Sequence, residues 1–227
     1  MRQILEKIEN YASAKSHIFL VGAPGTEKAK IARMLHFSSD RSEFPFIPFH
    51  VENLPSSLLE YTLFGCEENT LPALKQSSEG LLKKAEPGTL FLSDFDKYDT
   101  RTQNKIIRFL LTKSYQKIHS LKYSSCDTRV IIGIDCNKAG IIAKDNLKGA
   151  FEEKKIHKIH IPPLNERQDD IAPLIHYFTN KYKKQKKLKF SKDALKILER
   201  YNWPGNVKEL EILIRSLAES HQKSTIL

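Results

Sequence analysis

The chain has 227 residues, 40% of them hydrophobic and 28% charged, a balance that excludes a disordered or fibrous chain and suits one large domain, or one domain with a small appendage. The net charge of +10 invites a nucleic-acid reading, but much of the excess lies in Lys181-Tyr-Lys-Lys-Gln-Lys-Lys-Leu-Lys189, where lysines equally serve a helix end and solubility. No apolar run suits a signal peptide or membrane span, and Cys66, Cys126 and Cys136 lack metal-ligand spacing, so a cytoplasmic protein without membrane contact is expected.

Ile4, Leu5, Ile8 and Tyr11 recur at helical spacing, which predicts a short amphipathic helix over Met1 to Ala14. The apolar run Ile18 to Val21 reads as a buried strand broken at Gly22. A helix with Ile31, Ala32 and Leu35 on one face then runs from Lys28 to about Phe37. Strand, glycine turn and a helix opened by lysine are the layout of a phosphate-binding loop. Backbone N–H groups there surround an anion, and the lysine adds a point charge. Glu27 stands where that pattern has glycine, so a carboxylate and a Cβ occupy the place where backbone closes on phosphate oxygens. Ala29, after the lysine, has no oxygen to offer a metal ion.

Phe46 to Val51 is the next expected strand, Asn53-Leu-Pro-Ser56 a turn, and Ser57 to Leu63 a short helix ending at Phe64-Gly65. Thr89 to Asp94 follows Pro87-Gly88 as a buried strand with polar residues at its tip. Thr102 to Thr112 is helical, with Ile106, Ile107, Leu110 and Leu111 inward. Arg129 to Ile134 is an apolar strand closing on Asp135, and Lys158 to Ile161 another, stopped by Pro162-Pro163. Strands alternating with helices predict an α/β fold with a parallel sheet, whose ligands sit at the carboxyl ends of the strands. Beyond Pro163 no strand is expected. Asp169-Asp170 start one helix, Ser191 caps a second, and Trp203-Pro-Gly205 precedes a third, from Val207 to about His221. His157, His160 and Tyr123 form no constellation, and the two histidines are read as packing or solvent-facing.

In this order the motifs resemble the central AAA+ ATPase domain of sigma-54-dependent transcription activators, over about Ile4 to Leu217. Gly22-Ala-Pro-Gly-Thr-Glu-Lys28 is similar to the family's Gly-x-x-Gly-Thr-Gly-Lys. Asn53-Leu-Pro-x-x-Leu-Leu-Glu60, Leu63-Phe-Gly65, Gly88-Thr-Leu-Phe-Leu92, Gln103-x-Lys-Ile-Ile-Arg108, Arg129-Val-Ile131, Pro162-Pro-Leu-x-Glu-Arg167 and Trp203-Pro-Gly-Asn-Val-Lys-Glu-Leu210 follow as in the family. The resemblance implies a P-loop AAA+ core with a parallel sheet flanked by helices over 1–161 and a small all-α lid over 162–227. It further implies a ring that binds ATP between subunits and remodels the sigma-54 form of RNA polymerase.

It also marks where the chain departs. Ser93-Asp94 stands for the family's Asp-Glu, leaving Asp94 as the catalytic candidate, with Asp96 nearby as a substitute; the bland alternative is that Asp94 caps the strand end. Ile134-Asp135 replaces the Thr-Asn sensor, an anion where a neutral amide reads the γ-phosphate. No arginine lies between Arg129 and Arg167, so the finger segment Asn146 to Lys155 offers only Lys148 and Lys154, without the bidentate fork. Lys208 replaces the lid-sensor arginine and keeps its charge. Asn69-Thr-Leu-Pro-Ala-Leu74 replaces the Gly-Ala-Phe-Thr-Gly-Ala loop that touches sigma-54, so that contact is not inherited.

The expected nucleotide-binding set is therefore Gly22, Gly25, Thr26, Glu27, Lys28, Ala29, Asp135 and Lys208, with ATP or ADP, and Mg²⁺ if bound, as the cofactor to test. The leading expectation is a degenerate, hydrolysis-deficient module. It would act as a regulatory or scaffolding partner of related AAA+ subunits or of a transcription regulator, without a DNA-binding domain of its own. The alternatives are a divergent ATPase using Lys28, Asp94 and Lys208, and a nucleic-acid binder using Lys181 to Lys189.

Overall fold

Three of the apolar runs are buried along their whole length, which requires that both faces of the sheet be covered. In a computed structural model describing residues 2–51, 54–67, 77–138, 153, 155–182, 189–220 and 225–226, they are β1 (His17–Gly22), β5 (Thr89–Leu92) and β8 (Arg129–Ile134). With β2 (Phe46–Phe49) and β9 (Ile156–Ile161) they form a parallel five-stranded sheet in the order β2-β5-β8-β1-β9. Register is fixed by pairs such as Ile18 with Ile131, and Leu90 with Ile47 and Val130. Unbroken apolar strands are what a parallel sheet inside an α/β protein needs.

The chain divides into two compact units, Arg2–Val21 with Lys28–His160, and Gly22–Glu27 with Ile161–Leu227. In the first, one core joins Phe19, Leu90, Leu92, Val130 and Ile132 of the sheet to Leu63, Phe95, Ile106, Phe109 and Leu110. Side chains alternate across a strand. Thus Ile18, Leu20, Phe91 and Ile131, also buried, belong to the other face. The helices are α1 (Arg2–Ala12), α2 (Lys28–Phe37), α3 (Ser56–Phe64), α4 (Leu81–Lys84) and α5 (Thr100–Thr112). Asp99 starts α5 by accepting from the Thr102 N–H at 3.0 Å and the Thr102 hydroxyl at 2.6 Å. In α1, Ile4 and Ile8 are buried as the spacing predicts, whereas Leu5 is exposed. In α5, Phe109 is buried and Leu111 only packs against the core's edge.

In the second unit, α6 (Ile171–Lys181), α7 (Lys192–Arg200) and α8 (Asn206–Ser220) pack around Leu164, Ile171, Phe178, Trp203, Leu210 and Ile214. Ser191 caps α7, its hydroxyl accepting from the Ala194 N–H at 3.1 Å. Asp169 and Asp170 lie in a 3-10 turn ahead of α6 rather than in its first turn. One expectation is corrected: strands do occur beyond Pro163, since β10 (Lys189–Phe190) pairs in parallel with β11 (Thr225–Ile226). Two hairpins also went unforeseen, β3 (Gly65–Cys66) with β4 (Ser78–Glu79) and β6 (Ser114–Gln116) with β7 (Tyr123–Ser125). The strands expected to reach Val51 and Asp94 end at Phe49 and Leu92.

Candidate nucleotide site

The glycine loop keeps its shape although one glycine is gone. Gly25 has φ +77°, and Glu27 has φ +69°, in the left-handed region where a Cβ is costly. Thr26 is buried and its hydroxyl donates to the Ala23 carbonyl at 2.7 Å, tightening the turn. Within the same unit, a Cβ on Gly25 would lie 2.1 Å from the Gly205 carbonyl oxygen, so this approach admits only glycine. The Gly25 carbonyl accepts from the Lys208 N–H at 3.2 Å, and Asn206 Nδ2 donates to the Pro24 carbonyl at 2.9 Å. Lys208 thus meets the loop through its backbone, while the residue is exposed. Arg167 is buried. Burial lowers its ordinary pKa, opposed by Asp170, 3.6 Å away, and by the Glu27 carboxylate. Glu27 therefore has a cationic neighbour inside its own unit.

Lys28 opens α2, and its stem runs along β8, where a Cβ on Gly133 would sit 3.6 Å from Lys28 Cδ. Burial pushes its ammonium below the usual lysine value, and Asp94, Asp135 and Asp96 pull it back. Four residues singled out from sequence, Lys28, Asp94, Asp96 and Asp135, thus act on one another through their charges. Asp94 follows β5 in a left-handed conformation and pairs with Lys97 at 3.4 Å. Asp96 has its side chain only 3% exposed, accepts from the Asp135 N–H at 3.3 Å and pairs with Lys138 at 3.7 Å. Asp135 in turn accepts from the Asn137 N–H at 3.0 Å.

His50 was not foreseen. At the ends of β2 and β5, its Nδ1 and the buried Ser93 hydroxyl lie 2.8 Å apart, so that hydroxyl is already engaged. A histidine after an apolar strand carries no periodic signal that would single it out. Ala29 lies in the first turn of α2 and offers no oxygen. Among the described residues no cluster of three His, Cys, Asp or Glu side chains suits a metal ion. Ala29 offers no oxygen, Ser93 is engaged by His50 and Asp94 pairs with Lys97 at 3.4 Å, so the described side chains do not by themselves form a cage for Mg²⁺. Cys66, Cys126 and Cys136 are free thiols. His157 stacks on Tyr11 with ring centroids 4.3 Å apart, and His160 is exposed. Lys148, Lys154 and the segment Asn69 to Leu74 lie outside the described residues, as does most of the Lys181 to Lys189 stretch. Lys181 itself donates to Glu211 at 2.6 Å.

A parallel sheet, a left-handed glycine loop after its β1 strand, a lysine opening the next helix and a helical lid define a P-loop protein of the AAA+ class. The chain belongs to the Sigma-54 interaction domain family, whose profile matches residues 1–161, followed by a match to the AAA+ ATPase lid domain over 165–227. It is 32% identical over 229 residues to the Nif-specific regulatory protein of Azospirillum lipoferum, covering 100% of this chain and 37% of that one. It is 30% identical over 225 residues to the luminescence regulatory protein LuxO of Vibrio campbellii, covering 96% of this chain and 49% of LuxO. The chain thus spans half or less of the length of these relatives. NtrX from Brucella abortus, solved in complex with ADP, superposes with a TM-score of 0.82 at 27% identity, covering 96% of this chain and 48% of that one. NtrX in complex with ATP gives 0.80 at 29% identity over 96% and 50%.

Proposed function

We infer that this chain is a sigma-54-activator-type AAA+ module that no longer hydrolyses ATP, and that it acts as a regulatory or scaffolding protein in transcription control with nucleotide binding weakened or lost. The observation that carries this reading is the charge of Asp94, Asp135 and Asp96 acting on Lys28. The chain's own carboxylates already offset the positive charge that the lysine offers to a triphosphate, and each adds repulsion to the ligand. In the loop, the Glu27 carboxylate adds to this and is countered by Arg167. The packing that holds the loop, Gly25 on Gly205 and Asn206 on Pro24, is intact. In this reading the fold is retained while the electrostatics that hydrolysis needs are not.

In this reading residues 1–161 form the core and 162–227 the lid. By the family resemblance, Gly22, Gly25, Thr26, Glu27, Lys28, Ala29, Asp135 and Lys208 are the positions assigned to nucleotide and Asp94 the catalytic position. The partner is a protein, either related AAA+ subunits or a transcription regulator. Contact with sigma-54 is not assigned to the segment Asn69 to Leu74. No helix among the described residues is long and apolar enough to cross a membrane.

A second reading, a divergent ATPase using Lys28, Asp94 and Lys208, is favoured by the retained loop geometry and by the nucleotides bound to NtrX. Calorimetric titration with ATP and with ADP, with and without Mg²⁺, separates the two. The first reading predicts millimolar or undetectable binding by the wild type and stronger binding by Glu27→Gly. Micromolar, Mg²⁺-dependent binding that Lys28→Ala abolishes would establish the second.

A further inference from the structure

At the amino end of the sheet lies a cavity of about 550 Å³ unrelated to the glycine loop. Its wall is made by the segment before β1, the end of α5 and the start of β9. The volume falls in the range of small-molecule sites, about 300–1,000 Å³. Leu110 and Leu111 give it an apolar side, Lys15, Lys113 and Lys155 a cationic rim, and among the described residues no carboxylate lines it. Lys113 donates to Asp127 at 2.6 Å and Lys155 pairs with Glu153, whereas Lys15 is exposed and has no carboxylate partner among the described residues.

Two polar groups in the wall are built in rather than superficial. Ser16 is 8% exposed, and its hydroxyl is buried without a hydrogen-bond partner. A buried hydroxyl left unpaired is destabilising unless something else satisfies it. His17 is 3% exposed, and its Nδ1 accepts from the Val130 N–H at 2.9 Å, which fixes the neutral tautomer with its proton on Nε2, a donor. Burial first, then the charges of Lys113, Arg129 and Arg41, holds this ring neutral, with its pKa at about 3. The same cations that disfavour an imidazolium favour an anion beside it.

We propose that this cavity binds a small organic anion, a carboxylate or phosphate on an apolar body, with the body on Leu110 and Leu111 and the charge toward Lys15, Ser16 and His17. The cationic rim steers the ligand, the two leucines supply burial, and the hydroxyl and imidazole donors orient the anionic oxygens. Such a site is independent of whether the glycine loop binds nucleotide.

An ¹H–¹⁵N NMR titration of the 227-residue chain with phenyl phosphate, benzoate and neutral benzyl alcohol tests this. Saturable shifts at His17, Lys113 and Lys155 with the two anions are expected, and the tighter of the two identifies the preferred head group. Lys15→Ala, a change at an exposed position, is expected to raise the dissociation constant about tenfold, and Ser16→Ala to weaken binding likewise. Absence of shifts at millimolar ligand would overturn the proposal. So would an equal response to benzyl alcohol, shifts centred on Lys28 and Gly133 instead, or affinities unchanged in both variants.

Discussion

At φ +69°, Glu27 holds a conformation that a residue with a Cβ adopts at a cost of about 1–2 kcal/mol. Replacing it by glycine removes that strain but adds chain entropy to the unfolded state, so Glu27→Ala, which keeps the Cβ and loses the charge, is the proper comparison. Glu27→Gly is expected to be more stable than Glu27→Ala by about 1 kcal/mol in urea unfolding. His17 offers a pH test. Its folded pKa, about 3, lies below the ordinary 6.5, so between these values the unfolded chain binds the extra proton. Its contribution is complete above pH 6.5 and is lost as pH falls toward 3, with a slope of up to about 1.4 kcal/mol per pH unit. His17→Asn, whose amide oxygen can replace Nδ1 as acceptor for Val130, is expected to flatten that slope in urea melts at pH 4 to 6.5. Glu27, Lys28, Asp94 and Asp135 were legible because a motif fixes their positions. His17, His50 and Arg167 were less so, since a polar residue in a buried place is recognised only by the partner that the fold brings to it.

Elements were legible in proportion to their burial. β1 and β8 are buried on both faces, so each is an unbroken apolar run, and the strands expected over Ile18 to Val21 and Arg129 to Ile134 coincide with them to within a residue. The two-residue strands of the β3–β4, β6–β7 and β10–β11 pairs are too short for any periodicity to show. Arg129 illustrates a different gap. Read as the start of an apolar strand, it is fully buried and donates to the carbonyls of Ser16, Ala12 and Tyr11 at 3.2, 2.9 and 2.6 Å, closing the end of α1. Caps announce themselves more clearly, because a short polar side chain precedes the apolar period. Ser191→Ala is expected to destabilise the chain by about 1 kcal/mol and Ser191→Gly by a few tenths, checked by urea unfolding with α7 helicity as the signal.

Across the whole chain, the proposed reading rests on a contrast between packing motifs that match the family and catalytic positions that depart from it. Trp203 is buried in the core of α6 to α8, and Asn206 bridges Leu164 N–H at 2.7 Å and the Pro24 carbonyl at 2.9 Å, so the Trp-Pro-Gly-Asn motif serves structure first. In the proposed reading, the carboxylates acting on Lys28, the Ser93 hydroxyl engaged by His50 and the lack of a side-chain oxygen at Ala29 weaken metal positioning and favourable charge at the γ-phosphate. The most direct test is Mg²⁺-dependent phosphate release from ATP, measured over many turnovers for the wild type and Lys28→Ala in parallel. Loss of hydrolysis predicts that the wild type releases no more phosphate than Lys28→Ala. Sustained release by the wild type that disappears in Lys28→Ala would show a working ATPase and contradict it.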